Sequence, residues 1–165
     1  PIVSSSVLRD FSARDHLSWR HIEAIRRRWK GPLVIKGLLS VEDALQAQRL
    51  GADGVVLSNH GGRQLDGAAS PMHVLEAVVA AVGADYPVLI DGGFRRGSDV
   101  LKAIALGARM VLLGRPFNYA AAVAGEAGVL HAITLLRAEV DRNLAMLGAT
   151  GCGELGPQHL VRRHG

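Results

Sequence analysis

Four short, almost unbroken apolar runs constrain this chain most: Leu33-Val34-Ile35, Gly54-Val55-Val56-Leu57, Pro87-Val88-Leu89-Ile90 and Met110-Val111-Leu112-Leu113. Runs of this length without alternation read as strands covered on both faces, the situation of a parallel sheet. Parallel neighbours need a crossover, and helical spacing fills the gaps between the runs. Ser40, with Asp43 three residues on, opens one helix that Gly51 closes. Residues 71–82 form a second, with Pro71 in its first turn, and Gly97 or Ser98 opens a third that Gly107 closes. Residues 18–29 ahead of the first run read as a helix, as do residues 126–147 beyond the last, where Val129, Ile133, Leu136, Val140 and Leu144 share a face. The predicted order is α-βα-βα-βα-βα.

An internal repeat sharpens this. Leu50-Gly51-Ala52 followed by Val55-Val56-Leu57 recurs as Leu106-Gly107-Ala108 followed by Val111-Leu112-Leu113. Repeated βα pairs suit a (β/α)8 TIM barrel, which needs about 250 residues. At 165 residues the chain supplies about half of one. A flavodoxin-like open sheet is the alternative, since it too is built from few strands. Residues 1–17 read as a loop or linker, 18–150 as the half barrel and 151–165 as a C-terminal tail.

Composition closes off other classes. A net charge of +4 is spread over the chain, and its one cluster, Arg26-Arg27-Arg28, falls at a predicted helix end. No aromatic residues alternate with cations, so a nucleic-acid partner is not expected. The apolar runs are far shorter than a membrane span, and no basic stretch leads into a signal core. One cysteine, Cys152, permits no internal disulfide and fits a reducing compartment. The C-terminal Arg162-Arg163-His164-Gly165 carries no peroxisomal address. No His/Cys spacing suggests a metal site. The 20 glycines point to tight turns or to backbone that approaches a ligand closely.

In parallel βα folds the working residues lie beyond the C-terminal ends of the strands. Those positions read Lys36-Gly37, then Ser58-Asn59-His60-Gly61-Gly62-Arg63, then Asp91-Gly92-Gly93-Phe94-Arg95, then Gly114-Arg115. The last two turns favour phosphate: glycines let backbone N–H groups close in, and Arg95 and Arg115 fork onto oxygens. His60 in a glycine-rich turn suits a base near neutral pH, and Arg63 suits a carboxylate. Lys36 at a strand end can stabilise a developing anion or form a Schiff base. For each of these residues alone, a structural role remains open.

The run Ser58-Asn59-His60-Gly61-Gly62-Arg63-Gln64-Leu65-Asp66 resembles the signature of the FMN-dependent 2-hydroxy-acid oxidases and dehydrogenases. Lys36-Gly37, Asp91-Gly92-Gly93-Phe94-Arg95-Arg96-Gly97 and Gly114-Arg115-Pro116 follow in the family's order. Ser70-Pro71-Met72 and Phe94 to Asp99 look most like its bacterial mandelate dehydrogenase branch. The resemblance implies FMN as cofactor and the C-terminal half of the barrel, strands 5–8. It implies His60 as the catalytic base, and His60 with Arg63 as substrate contacts. Lys36 then lies near flavin N1 and the C2 carbonyl, and Ser58 contacts the flavin or ribityl. Asp91, Gly92, Gly93, Phe94, Arg95, Gly114 and Arg115 hold the ribityl chain and phosphate.

The activity implied is oxidation of an (S)-2-hydroxy acid to the 2-oxo acid, with mandelate the leading substrate and lactate or glycolate as alternatives. The partners implied are that acid, the N-terminal half of the barrel, and further copies in a tetramer. A cytoplasmic place, or a peripheral one at the inner membrane, follows. The N-terminal half would bring the remaining substrate contacts, so this segment alone is expected to be inactive and to expose apolar strand faces. A non-catalytic FMN- or phosphate-binding half barrel is the second reading. It has no need of Lys36, His60 and Arg63 together.

Overall fold

The computed structural model describes residues 18–161. The expected loop at 1–17 and the terminal Arg162-Arg163-His164-Gly165 lie outside the described residues. The described residues fall into two compact units, the first ending at Gly31 and the second starting at Pro32.

In the first unit, α1 (Trp19–Arg28) starts at Ser18, whose backbone N–H donates to His21 Nδ1 at 3.1 Å. At its far end the Arg26 guanidinium donates to the carbonyls of Trp29 and Gly31. Arg26, Arg27 and Arg28 in the last turn put positive charge at the negative end of the helix, as their position predicts.

The second unit runs β1 (Val34–Leu38), α2 (Val41–Arg49), β2 (Gly54–Leu57), α3 (Pro71–Val82), β3 (Val88–Ile90), α4 (Gly97–Ala105), β4 (Met110–Val111) and α5 (Arg115–Met146). The four strands are parallel and lie in chain order, β1-β2-β3-β4. A flavodoxin-like sheet reverses its strand order at a switch point; this one does not, so the barrel-type winding holds. Lys36 pairs with Val56, Val55 with Val88, and Ile90 with Val111. Between Lys36 and Leu38 the register slips, placing a bulge at Gly37.

The expected helices over 71–82 and from Gly97 are found, and Ser40 Oγ accepts from the Asp43 amide at 3.1 Å, capping α2. Three boundaries differ from the sequence reading, the first being β4, which ends at Val111 while Leu112 and Leu113 lie beyond it. β1 runs on through Lys36 to Leu38, so the lysine stands inside the strand. α5 begins at Arg115 rather than 126, with Ala124 and Gly125 breaking its helical geometry midway. Pro116 in the first turn starts the helix early, and Gly125 at φ +54° marks the joint that the reading took for its beginning.

The core lies between sheet and helices. Val55, Leu57, Leu75, Val78 and Ile90 are fully buried, and β2 is covered along its whole length. A second cluster joins Leu101 of α4 to Leu144 of α5 and Ala149, with Cys152 and Leu155 packed against it. Tyr86 ties β3's approach to β2 by donating its hydroxyl to the Ala52 carbonyl at 3.0 Å. Burial first, then the Asp53 charge, pushes that phenol from 10.0 up to about 12. Its folded value exceeds its unfolded one, so its contribution is whole below pH 10.0 and is lost as pH rises toward about 12. Urea melts of Tyr86→Phe should therefore lose less stability than wild type across that alkaline interval.

Two surfaces are left uncovered among the described residues. β1 and β4 each pair on one side only, with Val34 and Met110 about half exposed. On α5, Val123, Leu130, Leu135 and Met146 are exposed. By length and composition alone α5 could cross a membrane, although the break at Ala124 and Gly125 interrupts it.

Candidate active site

The C-terminal ends of all four strands meet at one cleft of about 710 Å³. Lys36 of β1 lines it. Its Nζ donates to Ser58 Oγ at 2.9 Å and pairs with Asp91 Oδ2 at 2.7 Å, linking β1, β2 and β3 in one line. Ser58, only 1% exposed, also accepts from the His60 backbone N–H at 3.0 Å. A buried hydroxyl thus fixes the cation and the start of the histidine turn together.

His60 has a left-handed backbone (φ +55°), unusual for a residue with a side chain. The turn that forces it runs His60–Gly62 and is closed by Asn59 Oδ1 accepting from the Gly61 N–H at 3.0 Å. Its imidazole lies over the bulge in β1: a Cβ at Gly37 would stand 3.0 Å from His60 Cε1, and Gly37 itself has φ +101°. Only glycine serves there on both counts. At the next strand end, a Cβ on Gly92 (φ +99°) would come within 2.9 Å of Asn59 Oδ1. Arg115 closes the circle, because a Cβ on Gly61 would meet its Nη2 at 3.4 Å.

Of the residues singled out from sequence, Lys36, His60, Arg63, Asp91, Gly92, Gly93, Phe94, Arg95, Gly114 and Arg115 line this cleft. Ser58 is not among them; it is buried, and its oxygen accepts from Lys36 and His60. Sequence reasoning missed Leu112, Leu113, Asn118 and Tyr119, which also line it. Asn118 and Tyr119 sit in the first turns of α5, and the Gly114-Arg115-Pro116 start would have placed them there.

Four cations and one carboxylate face the cleft, so it favours anions. Gly93 and Gly114 leave open space where a Cβ would stand, which is room for a ligand against bare backbone. Asp91 Oδ1 is buried with no hydrogen-bond partner, an acceptor left for a donor from outside the chain. Hydroxyl-bearing ribityl, a phosphate and a ring with a polar edge match this donor and acceptor set, so FMN fits these residues.

The sequential parallel βα fold is that of the barrel class, and its cationic rim suits an anion. The family model for FMN-dependent dehydrogenases matches residues 3–162, and the chain belongs to that family. It is 50% identical over 149 residues to an L-lactate dehydrogenase of Pseudomonas paraeruginosa, covering 90% of this chain and 39% of that one. It is 54% identical over 143 residues to an (S)-mandelate dehydrogenase of Pseudomonas putida, covering 87% of this chain and 36% of that one. The crystal structure of the monotopic membrane protein (S)-mandelate dehydrogenase superposes with a TM-score of 0.86 at 52% identity, over 89% of this chain and 39% of the other. The four strands therefore match part of a TIM-barrel structure, and the chain spans about two fifths of the length of these relatives.

Proposed function

We propose that this chain is the C-terminal half of an FMN-dependent dehydrogenase or oxidase that converts an (S)-2-hydroxy acid, mandelate foremost, to the 2-oxo acid. One observation carries the reading: a base, a substrate-type arginine and a phosphate-type arginine pair share a single cleft with Lys36 and Asp91. A pure phosphate binder has no use for the first two. When bound, FMN supplies the two-electron acceptor. Arg95 and Arg115, beside Gly93 and Gly114, hold its phosphate. Asp91 accepts from the ribityl through its unpartnered oxygen, with Gly92 and Phe94 shaping the same turn. Lys36 presents positive charge toward the ring's polar edge, and Ser58 keeps it there. Arg63 grips the substrate carboxylate, and His60 accepts the proton that leaves the hydroxy acid.

The (S)-mandelate dehydrogenase and L-lactate dehydrogenase relatives support a 2-hydroxy acid, and the higher identity to the former supports mandelate. The open edges of β1 and β4 and the exposed apolar residues of α5 support an N-terminal half that closes the barrel, and complete barrels of this kind would assemble as tetramers. A cytoplasmic protein held peripherally at the inner membrane agrees with the monotopic relative. The test is to join the chain to the absent part of the barrel and pass it over gel filtration with FMN. Flavin coeluting with protein is the expected result, and an eluted protein without flavin defeats the reading.

A further inference from the structure

Gly97, the first residue of α4, lies so near α5 that a Cβ there would stand 2.7 Å from both Glu139 Cβ and Val140 N. Across this contact Glu139 reaches back over 42 residues of chain: its Oε2 accepts from the Gly97 N–H at 2.7 Å. Its Oε1 accepts from Arg96 Nε at 2.7 Å. Asp99 Oδ2 takes the two preceding amides, of Arg95 at 3.1 Å and Arg96 at 3.0 Å. Three consecutive backbone donors are thus consumed inside the protein, so they are not offered to an anion. Arg96 is drawn outward, its side chain 70% exposed and off the cleft, while Arg95 lines the cleft. Two adjacent arginines, equal in sequence, are sorted by a carboxylate on another helix. The Gly97 N–H first, then the charges of Arg96 and Arg142, hold the Glu139 carboxyl below its ordinary value, so it is ionised at neutral pH.

We propose that Glu139 is a positioning residue for the cofactor phosphate, capping α4 and restraining Arg96 so that Arg95 alone of this loop meets the phosphate. This rests on the flavin reading above. In the complete protein, amide hydrogen exchange and the affinities for FMN and for riboflavin, which lacks the phosphate, are compared among wild type, Glu139→Ala and Glu139→Gln. Glu139→Ala should speed exchange at Gly97, whose N–H it holds, and weaken FMN about tenfold, leaving riboflavin affinity unchanged. Glu139→Gln keeps an acceptor and folds more securely, and should cost FMN about threefold. Unchanged exchange at Gly97, or equal losses for the two flavins, overturns the proposal. A wild-type protein that takes up neither flavin overturns the functional reading as well, which separates the two failures.

Discussion

Replacing His60 with alanine in the complete protein is expected to lower turnover by about 10²–10⁴-fold, the usual worth of a general base. Flavin uptake should persist. The reason lies in where the contacts come from. The imidazole is aimed by three things that act on the backbone or the ring: the Ser58 hydroxyl on its N–H, the left-handed turn, and the bare Gly37 beneath it. The groups assigned to the phosphate instead sit beyond β3 and β4. Rapid-mixing kinetics under anaerobic conditions, with flavin content measured in parallel, separates the two. A variant that turns over at the wild-type rate removes His60 from the chemistry.

Lys36→Met is expected to cost about 2 kcal/mol of stability and to abolish flavin retention. Asp91 Oδ1 is already buried without a partner, and Lys36 is the ion-pair partner of Oδ2. Taking away the ammonium strands a carboxylate whose side chain is 20% exposed. Breaking a fully buried pair costs about 3–5 kcal/mol, but the Lys36 side chain is 43% exposed, and water lessens the loss. The double variant Lys36→Met with Asp91→Leu should recover most of the stability, since apolar groups replace buried pairs at little cost. It should still hold no flavin. Urea denaturation of the three proteins reads the first effect, and a Lys36→Met midpoint equal to wild type would contradict it.

The strand ends were legible because unbroken apolar runs announce buried strands, and whatever follows such a run must emerge at one rim. Hence Lys36, His60, Arg63, Asp91, Arg95 and Arg115 were named from spacing and resemblance, and the fold brings them to one cleft. Ser58 was named as a flavin contact. Spacing does not reveal that its oxygen also accepts from Lys36 Nζ and the His60 N–H. The bulge at Gly37 was hidden for a similar reason: a register slip depends on two strands at once. Glu139 left no local trace, because it acts on a turn far away in sequence. The early start of α5 did leave one, in Pro116, which the glycine joint at Gly125 obscured.

The most direct measurement is the visible flavin spectrum of the chain completed by the rest of its barrel, loaded with FMN and given (S)-mandelate without oxygen. Bleaching of the yellow band with one 2-oxo acid formed per flavin is the expected result. A protein that retains no flavin, or whose bound flavin stays oxidised with mandelate, lactate and glycolate alike, would contradict the account.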